Sequence, residues 1–108
     1  MELKLSKPDV KVVTDKEKGT SESVRKIEVG LLQTVFGVAF QLPDVTKDVK
    51  KSNLATDLYQ RVENLTDTEE TFTLEKDDLD IFHAAWSNAQ FRRSPIWLYA
   101  GALLKQLG

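Results

Sequence analysis

The sequence predicts a mainly α fold of about four helices, over 27–41, 53–65, 76–89 and 95–106, with a small β element from the N-terminal arm and/or 71–74. Three observations carry this. Apolar residues recur at three- and four-residue steps in four separate stretches. Proline, asparagine and serine punctuate the connections between them. Period-two spacing is confined to the first residues, Leu3 and Leu5 and then Val10 and Val12, and to the short Phe72-Thr73-Leu74 step.

Residues 1–24 read as an extended or partly mobile arm. Pro8-Asp9 interrupts its alternation, which fits a short strand pair or an extended segment. Thr14 to Ser23 is polar and aperiodic, so a mobile loop is expected there. The first helix carries Ile27, Leu31, Val35, Val38 and Leu42, with Leu32, Phe36 and Phe40 widening the face. Val35 to Phe40 is also β-prone, but a strand there would be unusually long. Gly30 and Gly37 each cost a helix roughly 1 kcal/mol relative to alanine. They suggest that another element packs closely at those positions.

Gln41 to Lys51 is a polar connector, after which Ser52 or Asn53 can cap the second helix. Leu54, Leu58, Val62 and Leu65 form its apolar stripe, and Asp57 and Arg61 are spaced for a surface pair. The third helix has Leu79, Phe82, Trp86 and Ala89 as its inner stripe, flanked by Ile81 and Ala85. Glu75, Asp77, Asp78 and Asp80 crowd its start, where the helix dipole favours negative charge. Ser94-Pro95 is a helix-start signal for the last helix, with the serine hydroxyl expected to cap. That helix is apolar nearly all round. On an α-helical wheel Trp97 and Tyr99 lie about 200° apart, so one of them is expected to face outward.

The 108 residues fit a single domain, 1–108, long enough for one modest core. Composition is ordinary for a globular chain, at 41% hydrophobic and 30% charged. With no cysteine there is no disulfide, thiolate nucleophile or thiolate metal site, which fits a cytoplasmic setting. No stretch reaches the length of a membrane span, and the first residues lack a signal-peptide apolar run. Asn64-Leu65-Thr66 matches a glycosylation acceptor but has no secretory context.

No catalytic, cofactor or metal set emerges. His83 is the sole histidine. With Asp80 it would make a carboxylate–imidazole pair, but no nucleophile accompanies it, and it reads as a boundary residue. Asp77, Asp78 and Asp80 lack the glycine and glutamate of a calcium loop. Gly30 and Gly37 match no phosphate-binding fingerprint.

The net charge of −2 disfavours a general phosphate-backbone binder. Residues 57–80 hold nine acids against Arg61 and Lys76, a net of −7. Such a face is ordinarily solvating, though it can also oppose a basic groove. The remaining candidate surface is the last helix, whose Trp97 and Tyr99 are of the type enriched at interface anchors.

Leu54-Ala55-Thr56-Asp57-Leu58-Tyr59, Phe72-Thr73-Leu74, Asp78-Leu79-Asp80-Ile81-Phe82 and Pro95 through Leu104 together resemble the layout of small uncharacterised accessory proteins of tailed double-stranded DNA phages and prophages. The resemblance spans about 27–107 and consists of packing and capping patterns. The chain departs from it in the lysine-rich connector Thr46 to Lys51 and in Trp86 and Trp97. It implies a phage or prophage origin and a non-enzymatic role, in the host cytoplasm or the virion, with no functional residues to carry over.

The leading expectation is therefore a small non-catalytic protein-interaction protein. It would use Trp97, Tyr99, Asp77, Asp78, Asp80, Arg92 and Arg93 toward a protein partner or a second copy. The alternative is a nucleic-acid-associated regulator using Arg92, Arg93, Lys47, Lys50 and Lys51. An enzyme is the least favoured class. No membrane association is expected.

Overall fold

The computed structural model describes residues 1–88 and 94–108. It is mainly α with two small antiparallel strand pairs. In chain order the elements are β1 (Glu2–Lys4), β2 (Lys11–Asp15), β3 (Thr20–Ser23), α1 (Val24–Ala39), α2 (Pro43–Thr46), α3 (Val49–Glu63), β4 (Thr71–Thr73), α4 (Lys76–Trp86), a 3₁₀ helix (Pro95–Ala100) and α5 (Gly101–Leu107).

The long α1 is the spine. Leu31, Leu32, Val35, Phe36 and Ala39 are fully buried, and α3, α4 and the 3₁₀ helix all pack on it. The expected apolar stripe is thus real and helical. Phe36 meets Phe82 of α4 edge-on at 6.2 Å, and Phe82 stacks on Trp86 at 6.0 Å. Tyr59 is the neighbour at Gly37, but a Cβ there would stand 3.7 Å from the ring, an ordinary contact that does not require glycine. Gly30 differs from expectation. Nothing lies within 4 Å of where its Cβ would be, so it faces open space and not a packed neighbour.

The two β pairs sort differently from a hairpin about Pro8-Asp9. β1 pairs with β4, with Leu3 opposite Phe72, both buried. The arm and the 71–73 step are therefore one β element. Leu5 N–H extends the pairing to the Glu70 carbonyl at 2.9 Å. On its other side the arm is held by Gln106 of α5. That side-chain amide accepts from Lys4 N at 2.7 Å and donates to Lys4 O at 2.9 Å, as a neighbouring strand would.

β2 and β3 form a separate hairpin: β2 begins in the extended arm, while its turn and β3 fall in Thr14 to Ser23, expected as a loop. Asp15 Oδ1 accepts from the backbone N–H of Glu17 and Lys18 at 3.0 and 3.2 Å, which starts the turn. Gly19, at φ +64°, completes it in a conformation that suits glycine. β3 carries only Thr, Ser and Glu, so it has no apolar alternation to betray it.

Helix boundaries shift for local reasons. α1 starts at Val24, directly after the hairpin, three residues before its first apolar repeat. Pro43 and Asp44 begin the one-turn α2 inside the connector. Asp48, not Ser52 or Asn53, caps α3, accepting from Lys50 N at 3.0 Å and Lys51 N at 3.2 Å. α4 ends at Trp86, and Ala89 lies outside the described residues. Its buried face is Asp78, Ile81, Phe82 and Ala85, rotated from the expected Leu79–Phe82–Trp86 stripe. The rotation follows from Asp78, which hydropathy places outside but which is 2% exposed. Glu75 N–H donates to Asp78 Oδ2 at 2.8 Å, while the Glu75 carboxylate accepts from the Asp78 backbone. Arg61 Nη1 lies 3.9 Å from the same Asp78 oxygen and 3.8 Å from Asp57, with its guanidinium 4.7 Å from the Phe72 ring centre. Arg61 so joins α3, β4 and α4.

Candidate functional site

The segment expected as one last helix is split. Residues 95–100 wind as a 3₁₀ helix and 101–107 as α. Ser94 gives no side-chain cap; its carbonyl accepts from Trp97 N–H at 3.3 Å. The change of winding decides which aromatic faces where. A 3₁₀ helix repeats every three residues. Trp97 and Ala100 turn inward, and Leu103 and Leu107 of α5 continue that buried line. Pro95, Leu98 and Gly101 turn outward. Tyr99 lies between the two faces.

Leu98 is accordingly 81% exposed, the most exposed large apolar side chain among the described residues. Tyr99 is 38% exposed, and its hydroxyl reaches the Val13 carbonyl of β2 at 3.4 Å. Val13 itself is half exposed. The Tyr99 hydroxyl thus links the 3₁₀ helix to the hairpin across 86 positions of sequence. The α-helical wheel missed Leu98, because it spread the apolar residues of 95–106 evenly round the axis.

A cleft of about 830 Å³ opens on the inner side of the same 3₁₀ helix. Ile96 and Trp97 form one wall, Lys11 and Glu22 of the hairpin another, and Lys26, Ile27, Gly30 and Gln33 of α1 the floor. The absent Gly30 side chain leaves the floor open. Trp97 is half buried, so its indole lines the cleft and is not a free anchor.

The other expected residues are dispersed. Asp77 and Asp80 are exposed on α4. They border a second pocket, which they share with Asp44, Asp48, Lys50 and Lys51. Asp78 is buried and engaged in the α4 start, so it is not part of the surface. Arg92 and Arg93 lie outside the described residues. Lys47, Lys50 and Lys51 are exposed near the start of α3, the last two on a rim with four aspartates. His83 is exposed and contacts the Phe82 ring edge-on at 5.8 Å. Among the described residues no group of three or more His, Asp or Glu side chains is placed to hold a metal ion. Also among them, no helix is long and apolar enough to cross a membrane.

Besides Asp78, two buried charged side chains serve the fold. The Glu28 carboxylate accepts from Ser6 N–H at 2.7 Å and Ser6 Oγ at 3.0 Å, fixing the arm to α1. Arg25 donates to the Thr66 carbonyl and ties α1 to the loop before β4. On α3, the Glu63 carboxylate beside the Tyr59 hydroxyl raises the phenol's pKa from its ordinary 10.0, chiefly through their hydrogen bond.

No protein-family model, curated protein or solved structure matches the chain.

Proposed function

We propose that this chain is a small non-catalytic interaction protein, and that Leu98, Tyr99 and Val13 form the face it presents to a protein partner. The observation that carries this is Leu98, held 81% exposed on a helix whose inner residues are packed. Covering a Leu or Val side chain completely contributes roughly 1.5–3 kcal/mol, so this face holds several kcal/mol of unrealised burial. A phage-encoded accessory role, in takeover of a host factor or in virion assembly, accords with the layout resemblance over 27–107.

The test is capture of partners with tagged wild-type protein, the Leu98→Asp variant and the Val49→Asp variant. Val49 is 76% exposed at the first position of α3 and serves as the control. The expected result is a protein retained by wild type and Val49→Asp and lost with Leu98→Asp, while all three give the same circular dichroism. Equal retention by all three sinks the assignment of this face.

The nucleic-acid reading places phosphates on Arg92, Arg93, Lys47, Lys50 and Lys51. The shared rim weakens it, because Asp44, Asp48, Asp77 and Asp80 put repulsive charge beside Lys50 and Lys51. Steep loss of DNA or RNA binding with salt would restore it.

A further inference from the structure

A second surface stands apart from the Leu98 face. Leu42, Val45, Leu54 and Ile81 floor a pocket of about 460 Å³ between α2, α3 and α4. Its volume lies in the range of ligand-accepting pockets. Val45 and Ile81 are buried, so the floor is set by the core and does not depend on loose side chains. Ala84 lies exposed at the edge and leaves the entrance open.

The rim is charged and unbalanced. Asp44, Asp48, Asp77 and Asp80 border it against Lys50 and Lys51, a net of −2. Asp48 is engaged in capping α3. Among the described residues no ion pair occupies the carboxylates of Asp44, Asp77 or Asp80. All three residues are exposed at the rim, where a bound ligand can meet them. A basic peptide with a large apolar side chain answers both halves of this site: apolar area for the floor and cations for the rim.

We infer that this pocket docks a basic segment of a partner protein, seating one bulky apolar side chain between α2, α3 and α4. The docking does not depend on the Leu98 face.

The test is an amide chemical-shift titration of the full chain with the blocked hexapeptide KRLFKR. Its controls are EELFEE, with reversed charge, and KRSGKR, without the apolar pair. Shifts are expected at Val45, Leu54, Ile81 and Ala84 with KRLFKR alone, at concentrations below about 1 mM. Raising salt from about 20 to 300 mM should weaken binding, because exposed charges are screened. Exchanging Asp77 and Asp80 together for Asn should weaken it roughly fivefold. Ala84→Arg, at an exposed position that tolerates the change, should abolish it, and Leu98→Asp should leave it unchanged.

No shift up to about 1 mM overturns the inference. Equal binding of either control peptide, or shifts centred elsewhere, does so too. Concentration-dependent changes at the same amides without peptide would mean that a second copy is the occupant, which equally overturns it. Melting curves of each variant establish that the fold is kept.

Discussion

Removing the Glu28 carboxylate should be among the costlier single changes available in this chain. The side chain is 1% exposed and accepts two hydrogen bonds from Ser6. Bonds to a charged acceptor contribute about 1.5–3 kcal/mol each. Part of that is offset in Glu28→Ala, because burying a carboxylate is itself unfavourable and half-buried Ser6 can regain water. A net loss of about 2–4 kcal/mol follows. For a domain of this size that lowers Tm by roughly 8–20 °C. Ser6→Ala removes only the hydroxyl donor and keeps the N–H bond, so it should cost about 1 kcal/mol. Urea unfolding followed by circular dichroism measures both, and the double variant measures their coupling. A Glu28→Ala loss under about 0.5 kcal/mol, or one no larger than that of Ser6→Ala, would refute the role given to this carboxylate.

Three further outcomes follow from geometry. Leu103→Ala, at a fully buried position, should cost about 2–5 kcal/mol, whereas Leu98→Ala should stay within about 0.5 kcal/mol; equal costs in urea unfolding would contradict the inward and outward faces of the C-terminal segment. Gly19→Ala, at φ +64°, should destabilise by about 1 kcal/mol in the same measurement despite open space around it, and a stabilised variant would contradict the turn geometry. Tyr59 should ionise above pH 10.0, as followed by ultraviolet absorbance, and Glu63→Gln should bring it back down. The folded state holds this proton more tightly than the unfolded chain. The pair's stabilisation is therefore complete below the ordinary tyrosine value and fades as pH rises through the folded one.

What could be read from the sequence was whatever hydropathy reports directly. Ile27, Leu31, Val35, Leu58, Val62 and Phe82 all lie on buried helix faces, as their spacing requires. The hairpin was hidden because β3 is polar throughout and is set by Asp15 and Gly19. The start of α3 was hidden because Val49 is exposed and the cap is an aspartate upstream of the apolar repeat. The face of α4 differs from the hydropathy stripe because Asp78, a polar residue, is buried while accepting from Glu75 N–H in the capping box. At the candidate site, composition pointed to the 95–106 segment, and winding decides which of its residues faces outward. An α-helical wheel favours Trp97 or Tyr99, whereas three-residue winding from Pro95 puts Leu98 outermost. The pocket between α2, α3 and α4 was not legible at all, since α2 was an unrecognised single turn and the pocket joins positions up to 42 apart.

The most direct test is a photo-crosslinking amino acid placed at position 98, with position 49 as the control, in cells that make the protein. If Leu98 heads the partner-binding face, position 98 should give one dominant adduct to a discrete protein and position 49 should not. No adduct from position 98, or the same adducts from both positions, would contradict it.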